Sequence, residues 1–309
     1  MSKIALMFPG QGSQYVGMGK ELYEKYPKAK EIIDRAGEEL KKVIFEGPEE
    51  TLKMTKYTQP AIFAVSMAAF EVLKENIDFS KHEFVAAGHS LGEYSALCSA
   101  GFFGFEDGLE MVKARGGYLQ KASEENPGAM AAVMGMEKDA LEKICGQACG
   151  GVCEAVNFNS PGQIVIAGTA DAVNKAVELA NAAGAAKCVV LNVSGPFHSS
   201  LMSPAADMMS EELKKYDFAG PSFGVYTNCD ALLTTDAAIV KEKLVKQIKS
   251  AVKWDESVRN IIDGGFDKFI EVGPGKVLSG LLRRIDRTKK ALNVEDAGSL
   301  EKTIQELDK

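Results

Sequence analysis

The sequence predicts an α/β fold with two domains, a large one built on a mostly parallel sheet and a small one inserted into it. The chain has 309 residues, which corresponds to roughly two domains of ~150 residues each. Short apolar runs bounded by turn residues alternate with longer helical patterns along most of the chain. A different order of elements interrupts this alternation in the middle of the sequence and predicts the insertion.

The first segment of the large domain is residues 1–125. It opens with a predicted strand, Ile4–Phe8, and a later apolar run, Phe84–Gly88, is typical of a buried parallel strand. The helical patterns of this segment cover Gly19–Tyr26, Ala29–Val43, Gln59–Glu75, Gly92–Ala100 and Glu106–Ala122.

We place the inserted domain at residues 126–196, beginning at the break Pro127-Gly128. Its predicted order is strand, helix, strand, strand, helix and strand, which is the order of a ferredoxin-like domain. These elements are Ala129–Met134, Lys138–Ala148, Val152–Phe158, Gln163–Ala167, Ala170–Ala183 and Ala186–Val193.

Residues 197–309 return the chain to the large domain, because the alternation of strands and helices resumes there. Such alternation predicts a mostly parallel sheet with helices on both faces. The predicted elements are helix Leu201–Tyr216, strand Phe223–Thr227, helices on either side of Trp254, strand Lys268–Val272 and helix Val277–Arg284.

The charge and the apolar segments exclude several classes of protein. A net charge of -7 argues against nucleic-acid binding, which needs a basic surface. The basic cluster at residues 283–290 is either a local patch for an acidic partner or a solvated helix face. The longest apolar stretch, Ala61–Phe70, is about half of the ~20 residues that a membrane span requires. We therefore expect a cytoplasmic protein with reduced thiols and no membrane partner. We also expect a monomer.

Three of the six cysteines, Cys145, Cys149 and Cys153, are spaced by four residues. Glycines interrupt the segment, and neither a fourth ligand nor a histidine lies nearby. Because soft-metal sites usually have four ligands, we expect small buried thiols and no metal.

The segment Gly88-His89-Ser90-Leu91-Gly92 matches the G-x-S-x-G pattern of a nucleophile at a sharp strand-to-helix turn. An apolar strand precedes it and an apolar helix follows it, as this pattern requires. The glycines allow the strand and helix to approach closely, and the helix amino terminus favours a developing negative charge. Ser90 is therefore the candidate nucleophile, the alternative being a serine that caps a buried helix.

A serine nucleophile needs a base, and the chain has three histidines. His82 lies in a polar stretch and is predicted to be solvated, whereas His89 adjoins the nucleophile and is expected to pack beside it. His198 lies where the chain re-enters the large domain, so it would face a cleft between domains. It is the candidate base, the alternative being a helix cap.

The acids Asp107, Asp139 and Asp171 each begin a predicted helix, where capping explains them. None resembles the acid of a catalytic triad, so we expect a Ser–His dyad oriented by a neutral acceptor. A thioester is an activated acyl donor, for which a dyad suffices.

The loop Gly10-Gln11-Gly12 follows a strand, but Tyr15 and Met18 stand where the two common nucleotide-binding motifs require glycine and lysine. Its exposed N–H groups at the carboxyl end of a strand still suit an oxyanion hole.

Arg115 shares an apolar helix face with Met111, Val112 and Leu119. A buried guanidinium needs a partner, and its planar fork suits a carboxylate. That partner is either the free carboxylate of a substrate or an acid of the protein itself.

Five motifs together resemble the malonyl-CoA–acyl carrier protein transacylases of type II fatty acid synthesis, in the family's order and across almost the whole chain. They are Phe8-Pro9-Gly10-Gln11-Gly12-Ser13-Gln14, Gly88-His89-Ser90-Leu91-Gly92-Glu93, Asn157-Phe158-Asn159-Ser160-Pro161-Gly162-Gln163, Gly195-Pro196-Phe197-His198-Ser199 and Glu271-Val272-Gly273-Pro274-Gly275-Lys276.

The resemblance implies an α/β-hydrolase-like large domain and an acyltransferase that moves malonyl from malonyl-CoA to acyl carrier protein, without a cofactor. It implies Ser90 as nucleophile and His198 as base. The further roles it implies are oxyanion-hole N–H groups at Gln11 and Leu91, a malonyl clamp at Arg115, an acyl-pocket position at Asn157 and a base-orienting carbonyl at Gln247. An esterase or thioesterase with the same serine turn, and a non-catalytic protein of the same fold, are the alternatives.

Overall fold

Ten strands organise the part of the chain that the computed structural model describes, residues 2–308. They are β1 (Ser2–Phe8), β2 (His82–Gly88), β3 (Ala129–Met134), β4 (Cys153–Ser160), β5 (Gln163–Gly168), β6 (Lys187–Val190), β7 (Gly224–Tyr226), β8 (Leu233–Thr234), β9 (Lys268–Val272) and β10 (Ala291–Val294).

The helices fall between these strands. They are α1 (Lys20–Lys25), α2 (Pro27–Arg35), α3 (Glu38–Glu46), α4 (Glu49–Leu52), α5 (Thr55–Asn76), α6 (Gly92–Ala100), α7 (Phe105–Glu125), α8 (Lys138–Gln147), α9 (Ala170–Ala182), α10 (Ser203–Leu213), α11 (Ala237–Ile248), α12 (Trp254–Asp263), α13 (Val277–Ile285) and α14 (Ala297–Leu307), with 3₁₀ turns at Phe79–Lys81 and Ser200–Met202.

The larger sheet has six strands in the order β10-β9-β1-β2-β7-β8. All neighbours are parallel except β7 and β8. The smaller sheet has the order β4-β5-β3-β6, and all its neighbours are antiparallel. The predicted α/β class, with a mostly parallel sheet and a second sheet from the middle of the chain, is therefore confirmed.

Strand β1 explains why helices cover both faces of the larger sheet. Its residues alternate between two apolar clusters: Ile4, Leu6 and Phe8 pack on one side, and Ala5 and Met7 on the other. A strand buried on both faces reads as a continuous apolar run, which is the pattern that predicted it.

Several predicted elements have different ends in the structure, and two differences bear on the architecture. The helical pattern Ala29–Val43 forms two helices, α2 and α3, because Gly37 between them adopts a positive φ of 97° that a continuing helix does not allow. The predicted strand Ala186–Val193 ends at Val190, and Leu191 and Val193 line a cleft instead. Sequence reasoning missed α4, β8, β10 and α14.

None of the helices within residues 2–308 is long and apolar enough to cross a membrane. In the same range, no three metal-ligating side chains come together. The cysteines in this range are free thiols. Cys145 is buried and Cys153 half-buried, but Cys149 is exposed, so the expectation of a buried thiol is wrong there because Cys149 lies beyond the end of α8.

Candidate active site

The turn between β2 and α6 holds Ser90 in a strained conformation. Its φ is 53°, in the left-handed region that non-glycine residues rarely adopt. A Cβ at Gly88 would lie 1.9 Å from the carbonyl carbon of Gly92, and a Cβ at Gly92 would lie 2.1 Å from the Phe8 oxygen. Only glycine fits at both positions, so the two glycines allow the turn that lifts Ser90 into the cleft.

His198 meets Ser90 at the carboxyl ends of the parallel strands. Its Nε2 lies 2.7 Å from Ser90 Oγ, and its Nδ1 lies 2.8 Å from the backbone oxygen of Gln247. A carbonyl oxygen only accepts, so Nδ1 carries the proton and donates a hydrogen bond to the Gln247 backbone oxygen. Nε2 then holds the lone pair that accepts the Ser90 hydroxyl proton, which is the tautomer that a general base needs.

The surroundings of His198 keep it neutral. Burial, and next the positive charge of Arg115, lower the pKa of His198 from 6.5 to about 3. The ring is therefore unprotonated at neutral pH. Its orienting acceptor is a backbone carbonyl, and no carboxylate within the described chain hydrogen-bonds the ring.

Arg115 on α7 is 1% exposed, and its guanidinium reaches Ser90 in the cleft. Its Nη1 donates to Gln59 Oε1 at 2.8 Å, and its Nη2 donates to Gln247 Oε1 at 2.9 Å and to Ser90 Oγ at 3.2 Å. It forms no ion pair with an acid between residues 2 and 308. Of the two partners that the sequence left open, the internal acid is therefore not the one observed.

The loop after β1 lies directly against the serine turn. A Cβ at Gly10 would be 2.3 Å from the His89 oxygen, so glycine permits this approach. Gln11 lines the cleft beside Ser90, and Leu91 begins the turn into α6. Within the described residues, the backbone N–H groups of Gln11 and Leu91 have no acceptor, which leaves them available to a developing oxyanion.

The cleft has a volume of about 190 Å³. One end is polar, with Ser90, His198 and Arg115. The walls beyond it are apolar. Met130 and Val165 come from the smaller sheet, Leu119 and Ile248 come from α7 and α11, and Leu191, Val193 and Phe197 come from the segment that follows β6. A short polar group with a longer, less polar remainder fits this division.

Asn157 and His89 line the same cleft. Asn157 is 6% exposed and lies at a register shift of β4, where it pairs with Val165 of β5 and also forms an isolated parallel bridge with Val252. His89 Nε2 lies 2.8 Å from Asn159 Oδ1, and its ring packs against Trp254. His89 thus joins the two sheets and does not contact the Ser90 hydroxyl.

His82 lies outside this site. The prediction that it is solvated is wrong, since the side chain is half-buried with its ring packed edge-on against Phe84. Burial lowers its pKa.

Sequence reasoning missed three polar residues that support the site: Gln59, Glu93 and Asn228. All three are at most 2% exposed. Asn228 accepts from the Ser90 N–H at 2.7 Å and donates to the Gly88 oxygen at 2.7 Å. Asn228 follows β7, so its place at the carboxyl end of a parallel strand was the available signal. Glu93 and Gln59 interrupt apolar helices, which is the signal for a buried polar partner.

The acyl transferase domain family matches residues 6–309. The malonyl CoA-acyl carrier protein transacylase of Bacillus subtilis (strain 168) is 45% identical over 316 residues, covering 99% of this chain and 98% of that protein.

Solved structures give the same likeness. An acyl carrier protein S-malonyltransferase from Vibrio cholerae has a TM-score of 0.92 and 42% identity, covering 98% of this chain and 100% of that chain. A malonyl-transacylase in complex with its type II PKS acyl-carrier protein has a TM-score of 0.94 and 39% identity, covering 99% of this chain and 100% of that chain.

Proposed function

Because the chain belongs to the malonyl CoA-acyl carrier protein transacylases, we propose that Ser90 and His198 transfer a malonyl group from malonyl-CoA to the phosphopantetheine thiol of acyl carrier protein, in fatty acid synthesis. The observation that carries this assignment is the 2.7 Å contact between Ser90 Oγ and His198 Nε2, with Arg115 Nη2 at 3.2 Å from the same oxygen. The reaction needs neither a metal nor a cofactor.

The first half-reaction loads the enzyme. His198 Nε2 takes the Ser90 proton as Ser90 Oγ attacks the thioester carbonyl of malonyl-CoA. The tetrahedral intermediate collapses by breaking the carbon–sulfur bond. His198 returns the proton to the departing sulfur, so that CoA leaves as a thiol and malonyl remains as an ester on Ser90.

The second half-reaction runs the same steps in reverse with a different thiol. The carrier thiol gives its proton to His198 as its sulfur attacks the ester carbonyl. The intermediate then expels the Ser90 oxygen, which regains the proton from His198. Malonyl leaves on the carrier sulfur, and the kinetics are ping-pong.

Arg115 selects the carboxylated acyl group. Its guanidinium is buried, and its acceptors are all uncharged: the amide oxygens of Gln59 and Gln247 and the hydroxyl oxygen of Ser90. A carboxylate that displaces or joins these acceptors gains a charge-assisted, bidentate interaction with a buried guanidinium. Malonyl supplies this carboxylate and acetyl does not.

The N–H groups of Gln11 and Leu91 form the oxyanion hole. Their lack of acceptors within the described chain supports this role, and the amino terminus of α6 adds its partial positive charge at the same place. One such donor is typically worth ~10²–10³ in rate. Asn157 lines the acyl pocket, and the Gln247 carbonyl orients the base.

The two sheets correspond to an α/β-hydrolase-like domain of residues 1–125 and 197–309 and a ferredoxin-like domain of residues 126–196. The strand order β4-β5-β3-β6, with α8 and α9 as the connecting helices, supports the second unit. The cytoplasmic location and monomeric state expected from the sequence stay predictions.

The test separates transfer from hydrolysis, because a thioesterase would use the same serine turn. The enzyme is loaded with malonyl-CoA, freed of excess thioester, and divided between buffer and holo acyl carrier protein. Rapid discharge to the carrier with slow discharge in buffer supports the transferase. Equal discharge in both overturns it.

A further inference from the structure

The buried carboxyl group of Glu93 lies at the centre of the hydrogen bonds that support the dyad. Glu93 is on α6, three residues after Ser90, and is 0% exposed. Its Oε2 accepts from the backbone N–H of Asn228 at 2.9 Å and from Gln247 Nε2 at 3.0 Å. These two donors belong to the two residues that hold Ser90 and His198.

Gln247 contacts every member of the reacting group. Its backbone oxygen accepts from His198 Nδ1, its Oε1 accepts from Arg115 Nη2, and its Nε2 donates to the backbone oxygen of Ser90 at 2.8 Å. A carboxamide has one accepting end and one donating end. If the amide were turned over, its NH₂ would face the Arg115 guanidinium, and Arg115 would lose an acceptor.

An acceptor beside Nε2 decides which way the amide points. The Oε2 of Glu93 is such an acceptor, beside the backbone oxygen of Ser90 at 2.8 Å and Asn228 Oδ1 at 3.5 Å. It accepts whether the acid is ionised or neutral, because protonation of Oε1 leaves Oε2 free. Burial raises the pKa of Glu93 to about 7 against these hydrogen bonds, so both forms are present near neutral pH. The orienting effect survives in each of them.

We propose that Glu93 is a positioning residue, which fixes the amide of Gln247 and thereby aims the Arg115 guanidinium at the carboxylate of the acyl group. The proposal rests on the malonyl transfer proposed above. Glu93 does not contact the substrate. It acts through Gln247, and its second contact, with the backbone N–H of Asn228, holds the residue whose side chain accepts from the Ser90 N–H.

Three variants test this role. Glu93→Ala removes the carboxyl acceptor and leaves Gln247 Nε2 with the Ser90 backbone oxygen and Asn228 Oδ1. Glu93→Gln restores a neutral acceptor of the same shape, and Ser95→Ala is the matched control. Ser95 is also buried on α6, and its hydroxyl has no hydrogen-bond partner in the described residues. The readouts are the rate of acyl-enzyme formation from malonyl-CoA and from acetyl-CoA, their ratio, and the unfolding midpoint.

Glu93→Ala is expected to slow malonylation by ~10²-fold, the effect of a misplaced clamp, and to slow acetylation less, so that the malonyl-to-acetyl ratio falls. Glu93→Gln and Ser95→Ala are expected to keep a ratio close to that of the wild type. A folded Glu93→Ala enzyme with the wild-type ratio overturns the proposal, as does a Glu93→Gln enzyme that loses the ratio equally.

A double-mutant cycle tests the route through Gln247. In a Gln247→Ala background, Glu93→Ala is expected to change the ratio little, because the amide that it orients is already gone. Independent, additive effects overturn the proposal. Where Glu93→Ala does not fold, Glu93→Asp replaces it, since it withdraws the acceptor by one methylene: a lowered ratio supports the role and an unchanged ratio overturns it. Failure of the wild-type enzyme to form any malonyl-enzyme would instead overturn the function proposed above.

Discussion

Ser90 and His198 both adopt left-handed backbone conformations, with φ values of 53° and 64°, and their side chains meet 2.7 Å apart. Such conformations cost ~1–3 kcal/mol each in a non-glycine residue and persist where surrounding structure enforces them. Asn228 holds the backbone N–H of Ser90, and the Gln247 carbonyl holds the His198 ring. The strained backbone positions are therefore those of the two residues whose side chains must be held in place for the reaction.

The strain at Ser90 is measurable as stability. We expect Ser90→Gly to be more stable than Ser90→Ala by about 1 kcal/mol, because glycine adopts a positive φ without a Cβ penalty, partly offset by its greater unfolded-state entropy. Urea unfolding of the two variants gives the difference directly. A Ser90→Gly protein less stable than Ser90→Ala would show that the turn is not strained.

The close approach of the serine turn to β1 predicts a sharp contrast between two glycines. Gly92→Ala places a Cβ 2.1 Å from the Phe8 oxygen, and we expect it to cost about 3 kcal/mol and most of the activity. Gly117→Ala is the control, since nothing lies within 4 Å of its Cβ and the residue is exposed on α7. That change is expected to stabilise by up to about 1 kcal/mol. Equal effects on the unfolding midpoint would contradict this geometry.

Arg115 is expected to set acyl preference. Arg115→Ala removes the partner of the malonyl carboxylate, and hydrogen bonds to charged groups are worth ~1.5–3 kcal/mol. The preference for malonyl-CoA over acetyl-CoA, measured as the ratio of kcat/KM values, should therefore fall by about 10–100-fold.

Arg259→Ala is its control, because Arg259 is half-exposed and pairs with Asp255 on the surface. It should leave the ratio unchanged. An Arg115→Ala enzyme that keeps the full malonyl preference would reject the clamp.

His198 should remain neutral across the physiological range. Its pKa in the native enzyme is about 3, against an ordinary value of 6.5, so the unfolded chain takes up the proton first as the pH falls. The contribution of His198 to native stability is therefore lost as the pH falls from 6.5 to about 3, and it is fully present above pH 6.5.

Ring NMR signals follow this directly, because the chain has three histidines to assign. We expect no titration of His198 between pH 5 and 8. Since the Arg115 charge is the second cause of the low pKa, Arg115→Met should raise it. A wild-type midpoint near 6.5 would contradict the burial and the charge described here.

Local sequence patterns were enough to predict most of the helices and strands. Apolar runs and turn glycines lie next to each other in sequence, so α6, β3 and β9 were predicted with their observed bounds. The break at Gly37 was missed because the apolar spacing continues across it, and only the backbone φ reveals the interruption.

Some residues of the site could also be predicted from local sequence and others could not. Ser90 and His198 stand in short motifs, and the neighbouring residues indicate their chemical roles. Glu93 and Asn228 are 135 residues apart and meet only after folding, so no spacing in the sequence predicts their contact. A polar residue within an apolar helix or after a parallel strand indicates a buried polar contact. Which residues make that contact depends on the packing of α6 against the segment that follows β7.

Intact-mass measurement of the protein after mixing with malonyl-CoA tests the central claim most directly. We expect the wild-type chain to gain the mass of one malonyl group, located on Ser90 by peptide mapping, and Ser90→Ala to gain none. A Ser90→Ala protein that still acquires malonyl, or a wild-type protein labelled at another residue, would contradict the account.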